Sequence, residues 1–197
     1  GWDSGTAEDL DLTLRIKMYF ARHPNLKIAF APDAVGHTDS PETFRGFLMQ
    51  RLRWDGDLYY LYVRKYRQSL RPGLLGWRNF LALLWTGFLL QLVLPFMVVL
   101  SMVWMMFTVP AGQLIGLSAF VYLFYLLLTA LMFAQYWWQL SERRRYDLQF
   151  LWVLPLFPAF AFATRVWSAV ATLTEMFTSQ HLDSSMAPWW VLRKTKF

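Results

Sequence analysis

The sequence predicts an α-helical membrane protein in which an amphipathic interfacial helix leads into transmembrane helices. Three observations predict it. Hydrophobic residues make up 56% of the 197-residue chain and charged ones only 16%, against about 25% charged in a soluble domain. From Asn79 to Ser141 there is no Asp, Glu, Lys, Arg or His, and about 20 apolar residues suffice for one span, so this tract holds two. The net charge of +6 gathers at the edges of the tract, in Arg64, Lys65, Arg67, Arg71 and Arg78 before it and Arg143, Arg144 and Arg145 after it. Those cations flank apolar segments and do not form a stripe with interleaved aromatics, which excludes a nucleic-acid surface. The absence of Cys excludes disulfides and Cys-based zinc or redox centres.

Three regions follow in order: 1–40, 41–78 and 79–197. Gly1, Asp3, Ser4 and Gly5 make 1–6 a loop. Ala7 to Phe20 has helical periodicity, with Leu10, Leu14 and Met18 near one face. Glu8, Asp9 and Asp11 fall in its first turn, where the helix dipole favours negative charge. Pro24 and Asn25 mark a turn, Lys27 to Ala31 alternates as a short strand, and 33–40 is polar and turn-like. His23, His37 and His181 stand apart from any HExxH pattern or His–carboxylate cluster, so they read as solvated side chains and no metal ligands are assigned.

Pro41 to Tyr66 is the second helix, with Pro41, Glu42 and Thr43 at its start and Phe44, Phe47, Leu48, Leu52, Leu58, Leu61 and Tyr62 at three- and four-residue steps. Gln50, Arg53 and Trp54, spaced i, i+3, i+4, share one face. An amide, a guanidinium and an indole on one stripe can bond a hydroxyl, clamp a phosphate and stack on a sugar ring. The same residues also suit anchoring at lipid headgroups. Asp55 and Asp57 read as the polar continuation of the helix, and Tyr59, Tyr60 and Tyr62 as a headgroup-level belt.

The charge-free tract divides at Pro110–Gly112 into helices near 80–109 and 113–140, the first tilted or kinked at Pro95. With basic residues on both outer flanks and none at the turn, the positive-inside rule places both flanks in the cytoplasm. A third apolar stretch, 150–163, is broken by Pro155 and Pro158 and ended by Arg165, then continues amphipathically through Phe177. It is expected to form a broken hairpin or re-entrant pair, with the tail carrying Arg193, Lys194 and Lys196 in the cytosol. Arg165 and Glu175 sit where charge is costly, so each needs a partner or a polar cavity.

The run QRLRW at 50–54 resembles the Q-x-x-R-W signature of the membrane-embedded family 2 glycosyltransferases that make cellulose, hyaluronan and poly-N-acetylglucosamine. AEDLDLTLR resembles the family's T-E-D motif, with Ala7 where Thr is usual, and Thr38 to Thr43 is similar to its T-E-x-P-E-T run, with Asp39 replacing Glu. The resemblance implies that 1–40 is the C-terminal part of a cytosolic α/β (GT-A-like) catalytic domain. It implies that Asp9 is the general base that takes the acceptor hydroxyl proton, with Glu8 beside it. Arg53 would hold the donor pyrophosphate, Trp54 would floor the acceptor sugar and Gln50 would help fix the same site.

The implied protein is an inverting, processive transferase in the plasma (inner) membrane, multi-pass, with its catalytic part cytosolic. It would move a sugar from a UDP-sugar to a growing polysaccharide and extrude the chain. A divalent cation (Mg or Mn) is implied as well, with its D-x-D ligands and the uridine site upstream of Gly1. The opening GWDSGTAED, without an initiating Met or signal peptide, reads as the inside of a domain and the chain as the C-terminal, by itself inactive, part of a longer protein. Two other functions fit the pattern: single transfer to a lipid acceptor, and a non-catalytic membrane scaffold or pore subunit, against which the retention of Asp9, Arg53 and Trp54 argues.

Overall fold

The computed structural model of the chain describes residues 7–23, 25–27, 29, 31, 34 and 41–178. Helix α1, Glu8–Arg22, starts after Ala7, which offers no side-chain acceptor to the first turn, and ends where the His23 amide donates to the Phe20 carbonyl (3.1 Å). Helix α2, Phe44–Tyr59, begins three residues after the Pro41 at which the sequence opens it. Thr43 is extended and its hydroxyl accepts the Gly46 amide proton (3.0 Å), so Pro41–Thr43 precede the first turn as a capped entry. The helix runs on as π-helical turns through Tyr60–Lys65.

Pro72 opens the short α3, Pro72–Leu75, at a position where its missing amide proton costs nothing. Gly76, at φ 74°, then separates α3 from the next helix in a conformation that a side chain would strain. Helix α4, Trp77–Leu83, continues through π-helical Leu84–Val93 into α5, Leu94–Thr108. The disturbance expected at Pro95 therefore takes the form of a π-helical stretch just ahead of it. Proline removes one i→i−4 hydrogen bond and crowds that carbonyl, and the wider register accommodates the mismatch. Pro110 separates α5 from α6, Ala111–Gln139.

Helix α7, Arg144–Asp147, passes through a 3-10 segment, Leu148–Leu156, into α8, Phe157–Thr178. This corrects the broken hairpin or re-entrant pair expected from Phe150 onward: one helical run extends from Arg144 to Thr178. Both prolines fit without a break. Pro155 lies in the 3-10 segment, where its own carbonyl accepts the Tyr122 hydroxyl proton (2.8 Å), and Pro158 lies in the first turn of α8. Trp77–Thr108, Ala111–Gln139 and Arg144–Thr178 are each long and apolar enough to cross a membrane.

No strand occurs among the described residues, and an α/β remnant in 1–40 is not shown. Lys27, Ala29 and Ala31 are not in a strand, and the rest of the segment expected at 27–31 lies outside the described residues. His37, His181, residues 1–6, most of the polar run 33–40 and the basic tail also lie outside the described residues.

The chain packs as two compact units, Gly1–Phe96 with Trp167–Phe197, and Met97–Val166. In the first, α2 and its π-helical extension form the spine. Leu14 of α1, Leu61, Tyr62 and Tyr66 of the spine, Leu75 of α3, and Leu83 and Leu92 beyond it are buried together. Gly87 lets the spine approach closely: a Cβ there would lie 2.5 Å from the Tyr62 hydroxyl oxygen. The last turns of α8 lie along α2, with the Trp167 indole donating to the Leu48 carbonyl (2.8 Å) and the backbone of Gly56 against Ala171 and Glu175. In the second unit the turn before α7 is tied by Asp147, which accepts from Ser141 (2.6 Å) and Tyr136 (3.2 Å).

Candidate functional site

Gln50, Arg53 and Trp54 lie in the middle of α2, on the shared face that their spacing dictates. Trp54 is 44% exposed, and the Arg51 guanidinium sits 5.3 Å from its ring centroid and 5.7 Å from that of Phe47. One indole face is thus engaged by a cation while much of the ring meets solvent. Gln50 is half-buried, and its amide has no hydrogen-bond partner among the described residues. Burial pulls the Arg53 guanidinium below its ordinary pKa, and the Asp57 carboxylate one turn on opposes that shift. A partly desolvated guanidinium interacts more strongly with an arriving anion than a fully hydrated one.

The two carboxylates after the motif continue the helix, as the sequence suggested, but they are not a merely polar, outward-facing extension of it. Asp57 is only 3% exposed and faces Arg53, and Asp55 accepts the Ser168 hydroxyl proton (2.6 Å). Burial of Asp57 is tolerable because Arg53 supplies the opposite charge at i−4. Asp55 is turned inward by a hydroxyl on α8, a partner more than a hundred residues away in sequence. The tyrosines differ from the expected headgroup belt as well. Tyr62 is 7% exposed and fills the space over Gly87, and Tyr59 and Tyr60 are half-buried beside the core.

Asp9 and Glu8 are exposed in the first turn of α1. The Asp9 carboxylate accepts its neighbour's amide proton, from Leu10, at 2.7 Å, so it is held locally while remaining open to solvent. The carboxylate that α1 buries is a different one, Asp11, at 0% exposure. Its Oδ1 accepts the Tyr66 hydroxyl proton (2.6 Å) and lies 2.9 Å from Lys65 Nζ; its Oδ2 lies 2.8 Å from Arg15 Nε. Arg15 Nε–H also donates to the Tyr66 oxygen (3.0 Å). Burial pushes the Asp11 carboxyl up, but the Tyr66 and Lys65 hydrogen bonds and the Lys65 and Arg15 charges outweigh it and hold it below the ordinary value. Burial and the hydrogen bond to Asp11 push the Tyr66 phenol up.

Sequence reasoning grouped Asp11 with the dipole-facing acids and missed this network. The signal was present: Ala7, Asp11, Leu14 and Met18 share the buried side of α1, and Arg15 stands four residues after Asp11. The network joins α1 to the C-terminal end of the spine, at Lys65 and Tyr66. Tyr66 stands twelve residues beyond Trp54, past the π-helical turns of Tyr60–Lys65. Asp9 and the Gln50–Trp54 face are therefore carried on two helices joined at that end.

The expectation that an intramembrane charge needs a partner holds for Glu175. It is buried and lies 3.5 Å from Arg64, whose guanidinium also donates to the Met176 carbonyl (2.8 Å). His23 is exposed and lies against the Tyr19 ring. Among the described residues no group of three or more His, Asp or Glu side chains converges, so these residues do not themselves fit the task of holding a divalent cation. Compared with protein-family models, curated proteins and solved structures, the chain matches none.

Proposed function

We propose that the chain forms the membrane end of an inverting glycosyltransferase that passes a sugar from a UDP-sugar to a growing polysaccharide and moves the product across the bilayer. The observation that carries this reading is the α2 face: a half-exposed Trp54 next to a partly desolvated Arg53, on the long helix that precedes the first candidate span in the chain. An indole with an open face suits the apolar C–H side of a sugar ring. A partly desolvated guanidinium suits the charge that grows on a departing diphosphate. Asp9, exposed on α1, would take the proton of the acceptor hydroxyl as its oxygen attacks the anomeric carbon and UDP leaves from the opposite side. Direct displacement of this kind inverts the anomeric centre. The divalent cation and the uridine site belong, on this reading, to residues preceding Gly1, and the working part lies on the cytosolic side of an inner membrane.

Membranes carrying the full-length protein test it. With radiolabelled UDP-sugars, the wild type should give long, inverted glycan; Asp9→Asn should abolish transfer while UDP binding stays nearly unchanged. Arg53→Ala should weaken nucleotide binding and turnover together. Loss of UDP binding in Asp9→Asn would remove the base role, and absence of transfer from every UDP-sugar by the wild type would overturn the reading. Labelling of a single glycolipid in place of polymer would reassign the acceptor.

A further inference from the structure

The packed unit contains an apolar cleft that the sugar-transfer reading does not use. Its volume is about 270 Å³, and its wall is built from Val63, Leu70, Leu75, Phe80, Leu83 and Phe88, with Tyr62 and Arg67 as its polar contributors. That is near the lower end of small-ligand pockets, and with so apolar a wall it suits a hydrocarbon chain better than a nucleotide or a sugar. The cleft sits where the first candidate span begins, beside Trp77, whose largely exposed indole is of the type found at the headgroup boundary.

The charges around it sort into two classes. Arg64 is paired with Glu175 and Lys65 with Asp11. Arg67, Arg71 and Arg78 are exposed and have no acidic or hydrogen-bonding partner among the described residues. All three lie in the segment that wraps the cleft, and Arg67 lines it. The Tyr62 hydroxyl, on a side chain more than nine-tenths buried, likewise has no hydrogen-bond partner among the described residues. An apolar slot with one uncompensated cation in its wall, and two more close in sequence to its lining residues Leu70 and Phe80, is complementary to a molecule with an apolar chain and an anionic head.

We propose that this cleft binds one acyl chain of an anionic phospholipid, whose phosphate is held by Arg67 with Arg71 and Arg78 adding to the attraction. A zwitterionic lipid could fill the slot but would gain little from three cations. Each cation near an anionic headgroup is worth about five-fold in affinity. The inference stands apart from the sugar-transfer reading and does not depend on it.

The test uses the full-length protein in nanodiscs of phosphatidylcholine doped with a photoactivatable lipid, either phosphatidylglycerol or phosphatidylcholine, followed by peptide mapping. The phosphatidylglycerol probe should label peptides within 62–88 several-fold more than the phosphatidylcholine probe. Arg67→Gln should cut that preference about five-fold, toward parity. Leu84→Trp, which fills the slot from a partly exposed wall position, should remove labelling of 62–88 by both probes; unchanged labelling of α6 peptides would confirm that the helices remain inserted. Equal labelling by the two probes, an unchanged preference in Arg67→Gln, or persistent labelling of 62–88 in Leu84→Trp would each overturn the proposal.

Discussion

Between Met97 and Val166 a single residue, Pro158, is buried, whereas the unit containing α1, α2 and the end of α8 buries Leu14, Leu61 and Leu75 and, among them, the charged Asp11, Asp57 and Glu175. In the second unit α6 leaves Phe120, Leu123 and Met132 largely exposed and buries nothing. A soluble protein does not present so large a contiguous apolar surface. The first unit is held together by its own side chains, including ions whose partners the fold supplies. The second leaves its apolar surface for a hydrocarbon solvent to cover. Substitutions should therefore act differently in the two.

The largest effect should come from the ion network of the first unit. Asp11→Ala leaves Lys65 largely buried without its carboxylate and takes the acceptor from Tyr66, a cost of about 3 kcal/mol. Thermal or SDS-induced unfolding in detergent measures it, and a change below about 0.5 kcal/mol would mean that the network is solvated. The pH dependence has a definite sign. Asp11, depressed below its ordinary 3.8, contributes fully above that value and loses its contribution as pH falls through the lower, folded value. Tyr66, raised above 10.0, contributes below 10.0 and loses its contribution as pH rises through the higher, folded value. Stability from this pair should therefore be flat between the two ordinary values and fall at both ends, and Asp11→Asn should remove its part of the acid-side fall.

Next in size is the close approach at Gly87. In Gly87→Ala the new Cβ would stand 2.5 Å from the Tyr62 oxygen and 2.6 Å from its Cζ, so the ring or the helix must move, at about 1–3 kcal/mol. Combined with Tyr62→Ala, the same substitution should cost much less than alone, because the clash disappears. Additive costs in that double variant would place the contact elsewhere.

These two sites also show where sequence reasoning reached its limit. The helical class, the Pro110 break and the common face of Gln50, Arg53 and Trp54 were legible because they depend on local spacing. The fate of each carboxylate was not. Asp9 and Asp11 are two residues apart in one acidic turn, and only the docking of that turn on Lys65 and Tyr66 makes one exposed and the other buried. Asp55 is turned inward by Ser168 and Gly87 is required by Tyr62, pairings that no periodicity encodes. The two prolines at 155 and 158 misled for a related reason. They predict a break, but a 3-10 segment and a first helical turn absorb them, and that choice depends on the whole run from Arg144 to Thr178.

A smaller effect belongs to the entry of α2. Thr43→Ala removes the acceptor of the Gly46 amide proton and should cost about 1 kcal/mol, while Thr43→Ser should restore nearly all of it. Retained stability in the alanine variant would show that water or a neighbouring backbone group caps that amide instead. Because the cap is local, any loss should appear in unfolding of the first unit and leave hydrogen exchange along α6 unchanged.

The smallest effect sharpens the contrast most. Met132 on α6 is 71% exposed, and in a lipid environment Met132→Ala exchanges one apolar surface for another against hydrocarbon. Truncating a core Met typically costs about 2–5 kcal/mol, because transfer and cavity terms add. At a lipid-facing position both terms nearly vanish, since lipid tails refill the space, and the change should stay within about 0.5 kcal/mol. Unfolding in nanodiscs decides between the two. A loss of about 2 kcal/mol or more would mean that α6 is packed against protein, a second copy or another chain, and that the bare surface of the second unit is an interface instead of a boundary with lipid.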